Sequence, residues 1–374
     1  MRLPVSAALL LCLEPAWAAA PSRASFDLYV FSQSDNGGGD PYRAEGFVNT
    51  GMREEVRLQT SEQVALFENA TLAILNNSAP EPLPSTIANA NVLAASGTVV
   101  YLETSIGAEW TSADGAWTVR PSLYYHHQSA IIAGGADLAL SWLLGGGDTT
   151  LMLSYGFRLG FRRLHYWDGT IENDHSHPTP SHTLLVGWVQ TLSPSLRVAL
   201  NLVFARQTGI LSNTFGFVTV FDTAGLPRLL VDERLPTERN RIQLNGRLRF
   251  AVPGGPTLGL DGSIYADDWD VRVAAIEPSL EAELSEGVRA RVWARISAQE
   301  GARYLTLLPS TLEAFRTQDS DLGSFTMFSP GLELSAPLPA WASLTWRLRV
   351  GAFGFFRTDG LFAITGHSGV TTTW

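Results

Sequence analysis

The chain has 374 residues, of which 45% are hydrophobic and 17% are charged, and its formal net charge is −10 at pH 7. The acidic balance argues against nucleic acid as a partner, because nucleic-acid-binding domains usually carry a basic surface. No uncharged apolar run of about 18 residues follows the N-terminal region, which argues against a protein that crosses a membrane with helices.

Residues 1–20 have the pattern of a secretory signal peptide. Arg2 supplies a basic start, residues 5–13 form an apolar core, and small residues follow. We therefore expect residues 1–20 to be removed on export and residues 21–374 to form a single domain.

The only cysteine, Cys12, falls within this segment. The mature chain is thus predicted to have no disulfide and no cysteine-based metal site, and no cofactor is expected. A lipoprotein acylated at Cys12 is the alternative, although Leu11 stands where such signals normally have a small residue.

Apolar and polar residues alternate along the rest of the chain, and a period of two residues is typical of strands. The alternation predicts 16 strands, the first three with weaker alternation than the others. In chain order they lie near 26–33, 52–61, 64–75, 97–112, 115–127, 130–144, 149–163, 181–192, 195–207, 239–252, 257–267, 271–284, 288–300, 325–336, 341–356 and 359–374.

The alternation is clearest between residues 241 and 299. Ile242, Leu244 and Leu248 alternate there with polar residues, many of them arginines, and later strands alternate with acidic residues and then with arginines again. Strands of roughly 12 residues exceed the usual length of about 5 to 6. Long strands with one apolar face and one charged face are typical of a barrel that contacts lipid outside and water inside.

The connections between the predicted strands sort by length, as in bacterial barrels with short periplasmic turns and long external loops. Short turns are expected at 113–115, 145–148, 193–194, 253–256, 285–287 and 337–339. Long external segments are expected at 34–51, 76–96, 164–180, 208–238 and 301–324.

The predicted fold is all-β: a closed transmembrane antiparallel β-barrel of 16 strands, within a range of about 14 to 18, in the outer membrane of a diderm bacterium. Aromatic residues near the strand ends fit girdles at the two membrane surfaces. They are Trp110, Trp117, Tyr124, Tyr125, Trp142, Tyr166, Trp167, Trp188, Trp269, Trp341 and Trp346.

Four segments together resemble a bacterial outer-membrane family of unknown function, which has similar hairpin, loop and strand-end motifs. They are Gln190–Arg197, Gly209–Asn213, Glu233–Arg239 and Tyr265–Asp270. The resemblance covers roughly residues 180 to 310. The chain departs from the family pattern at Thr214 and Phe215, where the family has Pro-Tyr followed by Arg. The resemblance implies a barrel and no established activity, catalytic residue or ligand.

Charged residues occupy the polar face of neighbouring strands in rows of alternating sign, so that opposite charges can pair between strands. We predict that this face lines the lumen and that a water-filled lumen of this kind passes small hydrophilic solutes. A lumen filled by interlocked charges or by loops is the alternative. The predicted lumen-lining residues are Arg241, Arg247, Arg249, Asp261, Asp267, Glu277, Glu281, Glu283, Arg289, Arg291, Arg295, Arg347 and Arg349.

Two other functions remain open. A histidine-rich segment is a weak candidate for metal binding by the external loops, through His165, His175, His177 and His182, although a solvated loop is the simpler interpretation. An outer-membrane hydrolase would use His126 and His127 with Ser129 nearby, but no nucleophile motif supports it. Expected partners are outer-membrane lipid, the barrel-assembly machinery and small hydrophilic solutes.

Overall fold

The computed structural model describes residues 24–35, 48–75, 99–128, 130–166, 170–174, 176–212, 216–341 and 344–373. The predicted signal peptide lies outside these residues. The strands are β1 (Ala24–Asp35), β2 (Val48–Gln59), β3 (Val64–Leu75), β4 (Val99–Thr111), β5 (Trp117–Gln128), β6 (Ile131–Leu144), β7 (Thr149–Arg162), β8 (His177–Ser193), β9 (Leu196–Thr208), β10 (Phe217–Phe221), β11 (Pro227–Asp232), β12 (Glu238–Ala251), β13 (Thr257–Asp267), β14 (Arg272–Ser285), β15 (Val288–Glu300), β16 (Phe325–Trp341), β17 (Leu344–Arg357) and β18 (Phe362–Thr373).

Sixteen of these strands close into one antiparallel barrel. Each strand pairs with its neighbours in sequence, β12 pairs with β9 across the β10–β11 hairpin, and β1 pairs with β18 to close the ring. Within the described residues each barrel strand has a hydrogen-bonded neighbour on both sides, so the wall they form has no edge strand. The predicted closed antiparallel barrel of 16 strands is confirmed.

The strand register separates the two faces of the wall. On β12 and β13, Leu244 lies directly opposite Ile264, and Arg247 lies directly opposite Asp261. Leu244 and Ile264 are exposed on the outer surface, whereas Arg247 and Asp261 line the interior. Because residues two apart share a face, the same parity places apolar side chains outside along each strand and polar ones inside.

The described connections segregate by length as predicted, except that the turn predicted at 337–339 is wrong, because β16 continues through these residues to Trp341. Most of the predicted long segments 34–51 and 76–96 lies outside the described residues. One end of the barrel, the short-turn end, carries the turns at 112–116, 145–148, 194–195, 252–256 and 286–287. The other end, the long-loop end, carries the segments 163–176, 209–237 and 301–324 together with the shorter connections 268–271 and 358–361.

The long segment predicted at 208–238 differs from expectation because it contains the separate β10–β11 hairpin. The side chain of Asp222 accepts hydrogen bonds from the backbone N–H groups of Ala224 and Leu226, both at 2.9 Å. Gly225 adopts a positive φ of 77° in the same turn. Asp222, followed three residues later by Gly225 between two short apolar runs, is the sequence signal for this hairpin.

Loops at the long-loop end pack on one another in what we call the loop layer. Its core contains Leu211 and Leu235 from segment 209–237, Trp269 and Val271 from segment 268–271, and Ala302 from segment 301–324. Trp269 is therefore a core residue of the loops, which corrects its predicted place in an aromatic girdle. No helix in the described part of the chain is long and apolar enough to cross a membrane.

The aromatic girdle is present in part at the short-turn end. Trp110 and Trp117 are both exposed, and their rings contact edge to face with centroids 4.4 Å apart. Trp142 lies directly opposite Trp117 and is exposed as well. Tyr124 instead points inward, since it lies opposite Ser105 and its hydroxyl donates to Glu103. Parity rather than nearness to a strand end decides which aromatic side chains face outward.

Candidate functional site

The barrel encloses a cavity of about 1050 Å³. Residues from all of the barrel strands except β3, β4 and β5 line it. Its charged lining consists of six arginines and six acidic residues, so their formal charges cancel in number and the distribution of charge decides what the cavity can bind. They are Arg53, Arg158, Arg247, Arg291, Arg295, Arg349, Asp27, Glu55, Asp137, Asp261, Glu277 and Glu333.

Two arginines of β12 share one carboxylate of β13. Arg249 forms two hydrogen bonds with Asp261, at 2.6 and 2.8 Å, and Arg247 approaches the same carboxylate at 3.3 Å. The Arg249 side chain passes over Gly259 to reach Asp261. A Cβ atom at residue 259 would lie 2.9 Å from the Arg249 guanidinium group, so the glycine leaves room for this contact. The Arg247 side chain remains 65% exposed to the lumen.

Two arginines of β15 share one carboxylate of β14 in the same way. Arg291 lies 3.6 Å and Arg295 lies 4.0 Å from Glu277. These distances exceed those of hydrogen bonds, so both guanidinium groups keep donors that face the lumen. We call Arg247, Arg249, Arg291 and Arg295 the arginine cluster. The cluster has four cations for the two carboxylates that it contacts.

Elsewhere on the wall, several acidic residues each contact a single basic side chain. Arg158 forms a bidentate pair with Asp137 at 2.6 and 2.8 Å. Arg349 binds Asp27 across the β17–β18–β1 wall. His367 contacts Glu333 at 3.1 Å, and Arg289 lies 3.9 Å from Glu281 near the short-turn end.

Aromatic side chains adjoin the arginine cluster and form what we call the aromatic patch: Tyr29, Trp293, Phe353, Phe355 and His367. Trp293 lies between Arg291 and Arg295 on β15, and its ring centroid is 6.5 Å from that of Phe353. Phe353 in turn lies 5.4 Å from Phe355 and 5.9 Å from His367. The predicted lumen set contained none of these residues, although Trp293 shares the inward parity of its arginine neighbours.

Side chains occupy part of the lumen toward the long-loop end. Inward-facing residues of several strands are buried there beneath the loop layer, including Gln128, Arg162, Gln207, Arg241, Ser297 and Arg357. Arg162 donates to the backbone carbonyl of Ser212 at 2.9 Å, and Arg241 donates to Gln207 at 3.0 Å. The Arg162 contact attaches segment 209–237 to the inner wall, and the Arg241 contact joins β12 to β9 beneath it.

Some predicted lumen residues have structural contacts instead. The Asp267 side chain accepts hydrogen bonds from Arg239 and from the backbone N–H groups of Trp269 and Val271, so it shapes the 268–271 turn. Like Arg241, it lies in the buried region at the long-loop end. At the short-turn end Arg347 donates to the Gly287 carbonyl, and Glu283 accepts from the Gly287 N–H.

The candidate metal-binding histidines that lie within the described residues do not converge. His177 lies opposite Arg162 on the inner face and contacts Glu172 at 2.8 Å, whereas His182 lies on the outer face and contacts the Tyr155 hydroxyl at 2.7 Å. Burial, and secondarily the Arg163 charge, lower the pKa of His165. His175 lies outside the described residues, within which no group of three His, Cys, Asp or Glu side chains could hold a metal ion.

The two histidines considered for hydrolysis lie on opposite faces of β5. His126 lies opposite Glu103 on the inner face and is buried, with its ring against Tyr101 at 4.9 Å. His127 lies opposite Leu102 and Ile132 on the outer face. Ser129 lies outside the described residues. One catalytic group cannot contain both histidine side chains.

The chain is similar in fold to several solved structures. One is a bacterial polysaccharide outer membrane secretin, 11% identical with a TM-score of 0.45, where the match covers 93% of this chain and 97% of that one. Another is OccK8 (OprE) of Pseudomonas aeruginosa, with 10% identity, coverage of 94% and 98%, and a TM-score of 0.45. A third is the loop L8 deletion mutant of OmpT, an outer membrane protein of Vibrio cholerae, with 10% identity, coverage of 95% and 100%, and a TM-score of 0.46.

Similarities at this level carry no argument about activity or ligand. No curated protein matches the chain significantly. One family model matches residues 105–352, a span that includes the arginine cluster, Trp293 and the β10–β11 hairpin. Since this match covers well over half of the 374 residues, the chain belongs to the family described as Protein of unknown function (DUF3570).

Proposed function

We propose that the protein is an outer-membrane barrel that passes small hydrophilic solutes in the manner of a porin. The observation that carries this proposal is the water-accessible cavity of about 1050 Å³, walled by charged side chains from around the barrel. The Arg247 side chain is 65% exposed inside the barrel. A tightly packed core would bury such a side chain, and burying its charge without full pairing is costly.

The membrane location is supported by the outer surface. Leucine, isoleucine, valine and phenylalanine side chains are exposed along nearly all of the barrel strands, for example Leu123, Leu202, Ile264 and Ile296. A soluble protein rarely exposes so continuous an apolar surface. A closed barrel with this outer face and a polar interior matches the requirements of a lipid bilayer.

The loop layer supports selectivity for small solutes. It covers the inward-facing residues at the long-loop end, where Arg162 and Gln299 bind backbone carbonyls of segments 209–237 and 301–324. A narrowed entrance restricts passage by size, and the charged wall below it favours hydrophilic molecules.

Conductance of the purified, folded protein in a planar bilayer tests the proposal. We expect discrete conductance steps, because a water-filled lumen through the barrel carries ions. Replacing Arg247, Arg291 and Arg295 together with glutamine should shift the reversal potential in a salt gradient toward cation preference, since three positive charges leave the lumen wall. Folded protein that shows no steps, and that excludes small sugars in liposome swelling, would contradict the channel.

Sidedness gives a second prediction. An epitope inserted between Thr311 and Glu313, in an exposed part of segment 301–324, should be labelled on intact cells. The same epitope between Gly254 and Gly255 should be labelled only after the outer membrane is permeabilised, because that turn lies at the short-turn end. The opposite pattern would invert the proposed orientation.

Exposed apolar side chains on the loops favour a second candidate function, which is binding of a partner by a barrel closed to solutes. Leu226, Leu307, Leu308 and Leu312 at the long-loop end are each more than half exposed. Surfaces of this kind often mark interaction sites. The conductance measurement separates the two functions, because only the channel requires a continuous water-filled lumen.

A further inference from the structure

We propose that the lumen contains a binding site for small organic anions that carry a planar ring. The anionic group would bind the arginine cluster, and the ring would lie against the aromatic patch. The inference rests on the proposed channel function only for access of the solute to the lumen, because binding itself can be measured without transport.

The arginine cluster provides the anion site. Asp261 and Glu277 are each shared by two guanidinium groups, which leaves two positive charges beyond those that these carboxylates balance. Arg291 and Arg295 lie at 3.6 and 4.0 Å from Glu277, so neither is held in a bidentate pair. Their planar donors match the two oxygens of a carboxylate in spacing and charge.

Other acidic residues near the arginine cluster each contact a basic side chain outside it, so they compete less with a bound anion for the cluster. Glu333 lies directly opposite Arg291 on β16 and also contacts His367 at 3.1 Å. Asp27 is bound by Arg349, and Glu281 lies 3.9 Å from Arg289. With Arg289 added to the arginine cluster and Glu281 and Glu333 added to its two carboxylates, five arginines face four carboxylates. One positive charge is thus in excess on this part of the wall, although the charges that line the cavity as a whole are balanced.

The aromatic patch provides the ring site, and the position of Trp293 depends on a glycine. Trp293, Gly331 and Phe353 lie directly opposite one another on β15, β16 and β17. A Cβ atom at residue 331 would overlap the indole ring, so the absence of a side chain there lets the ring lie across β16 toward Phe353. Gly351 similarly leaves room for His367, whose ring an added Cβ would approach to 2.6 Å.

The two parts of the site adjoin because of strand parity. Arg291, Trp293 and Arg295 lie at every second position of β15, so all three face inward. The Arg291 guanidinium carbon lies 5.2 Å from the centre of the Trp293 ring, which orients the indole beside the cationic groups. A ring bearing a carboxylate can therefore contact aromatic and guanidinium groups at once, whereas acetate contacts only the latter. A cavity of about 1050 Å³ has room for such a molecule.

Isothermal titration of the folded protein in detergent, with benzoate and acetate as probes, tests this proposal. We expect benzoate to bind about threefold to tenfold more tightly than acetate, the factor that an added aromatic contact typically contributes. Trp293→Leu should abolish the difference, and Gly331→Val should reduce it by displacing the indole. An Arg291→Gln/Arg295→Gln double variant should weaken both probes by about tenfold or more, because charge-assisted hydrogen bonds are lost.

Matched controls lie on the outer face. Trp188→Leu and Arg206→Gln make the same kinds of substitution outside the lumen. Trp188 lies opposite Leu200, and Arg206 lies opposite His182, at positions that face outward. Both variants should bind benzoate and acetate as the parent protein does. Equal binding of benzoate and acetate by the parent protein, or equal losses in Trp188→Leu and Trp293→Leu, would overturn the proposal. Absence of conductance would instead count against the channel and leave the binding result readable.

Discussion

Replacing Arg357 with glutamine is expected to lower the free energy of unfolding of the loop layer by about 3 kcal/mol, the lower end of the range for a broken buried ion pair. The Arg357 side chain is only 2% exposed and lies between two carboxylates. It donates to Asp321 at 2.5 Å and to the carbonyl of Ser320 at 3.0 Å. Without the guanidinium group, Asp321 and Asp359 remain as adjacent, poorly compensated negative charges.

Hydrogen exchange of the backbone in residues 301–324 measures this effect. Arg272→Gln is the matched control, because Arg272 pairs with Glu300 at the same end of the barrel but both side chains are about two thirds or more exposed. An exposed pair contributes roughly 0 to 1 kcal/mol, so the control should change little. Equal protection of residues 301–324 in both variants would show that the Arg357 contacts do not hold this segment.

Replacing Leu202 with arginine is expected to destabilise the barrel in lipid vesicles by about 2 to 4 kcal/mol, the cost of a charged side chain at the lipid-facing midplane. Leu202 is in the middle of β9, between Val186 and Leu244, and all three side chains are exposed on the outer face. Lipid offers the guanidinium group no hydrogen-bond acceptor at that depth.

Reversible unfolding by guanidinium chloride in vesicles provides the measurement. Leu226→Arg makes the same substitution in the turn of the β10–β11 hairpin, where the leucine is exposed on a loop, and should alter stability by less than about 0.5 kcal/mol. If Leu202→Arg were as stable as Leu226→Arg, the apolar outer surface would not be embedded in lipid.

The barrel could be predicted from the sequence because its main determinant is local. A strand in a barrel wall has one face toward lipid and one toward the lumen. The alternate positions of apolar residues such as Ile242, Leu244 and Leu248 therefore show which side chains of the whole strand face outward. The strand count followed from repeating that test along the chain. The β10–β11 hairpin was missed because its five- and six-residue strands lie within a long loop and outside the wall.

The candidate site was predicted in part for the same reason. Parity placed Arg247, Arg291 and Arg295 on the inner face, where they line the cavity. The same parity also applied to Arg241 and Asp267, yet both are in the buried region at the long-loop end. How far a residue lies from the loops depends on how each strand is offset against the next, and alternation within one strand carries no information about that offset.

What the sequence determined by itself is the wall: its strands, their two faces and the segregation of short and long connections. Only the tertiary structure decided which arginines share a carboxylate, where the loops pack, and that Trp293 lies across Gly331 toward Phe353. The physical reason is the distance along the chain over which each feature is determined. Alternation is set by neighbours two residues apart, whereas these contacts join strands through the register of the closed barrel and link residues far apart in the chain.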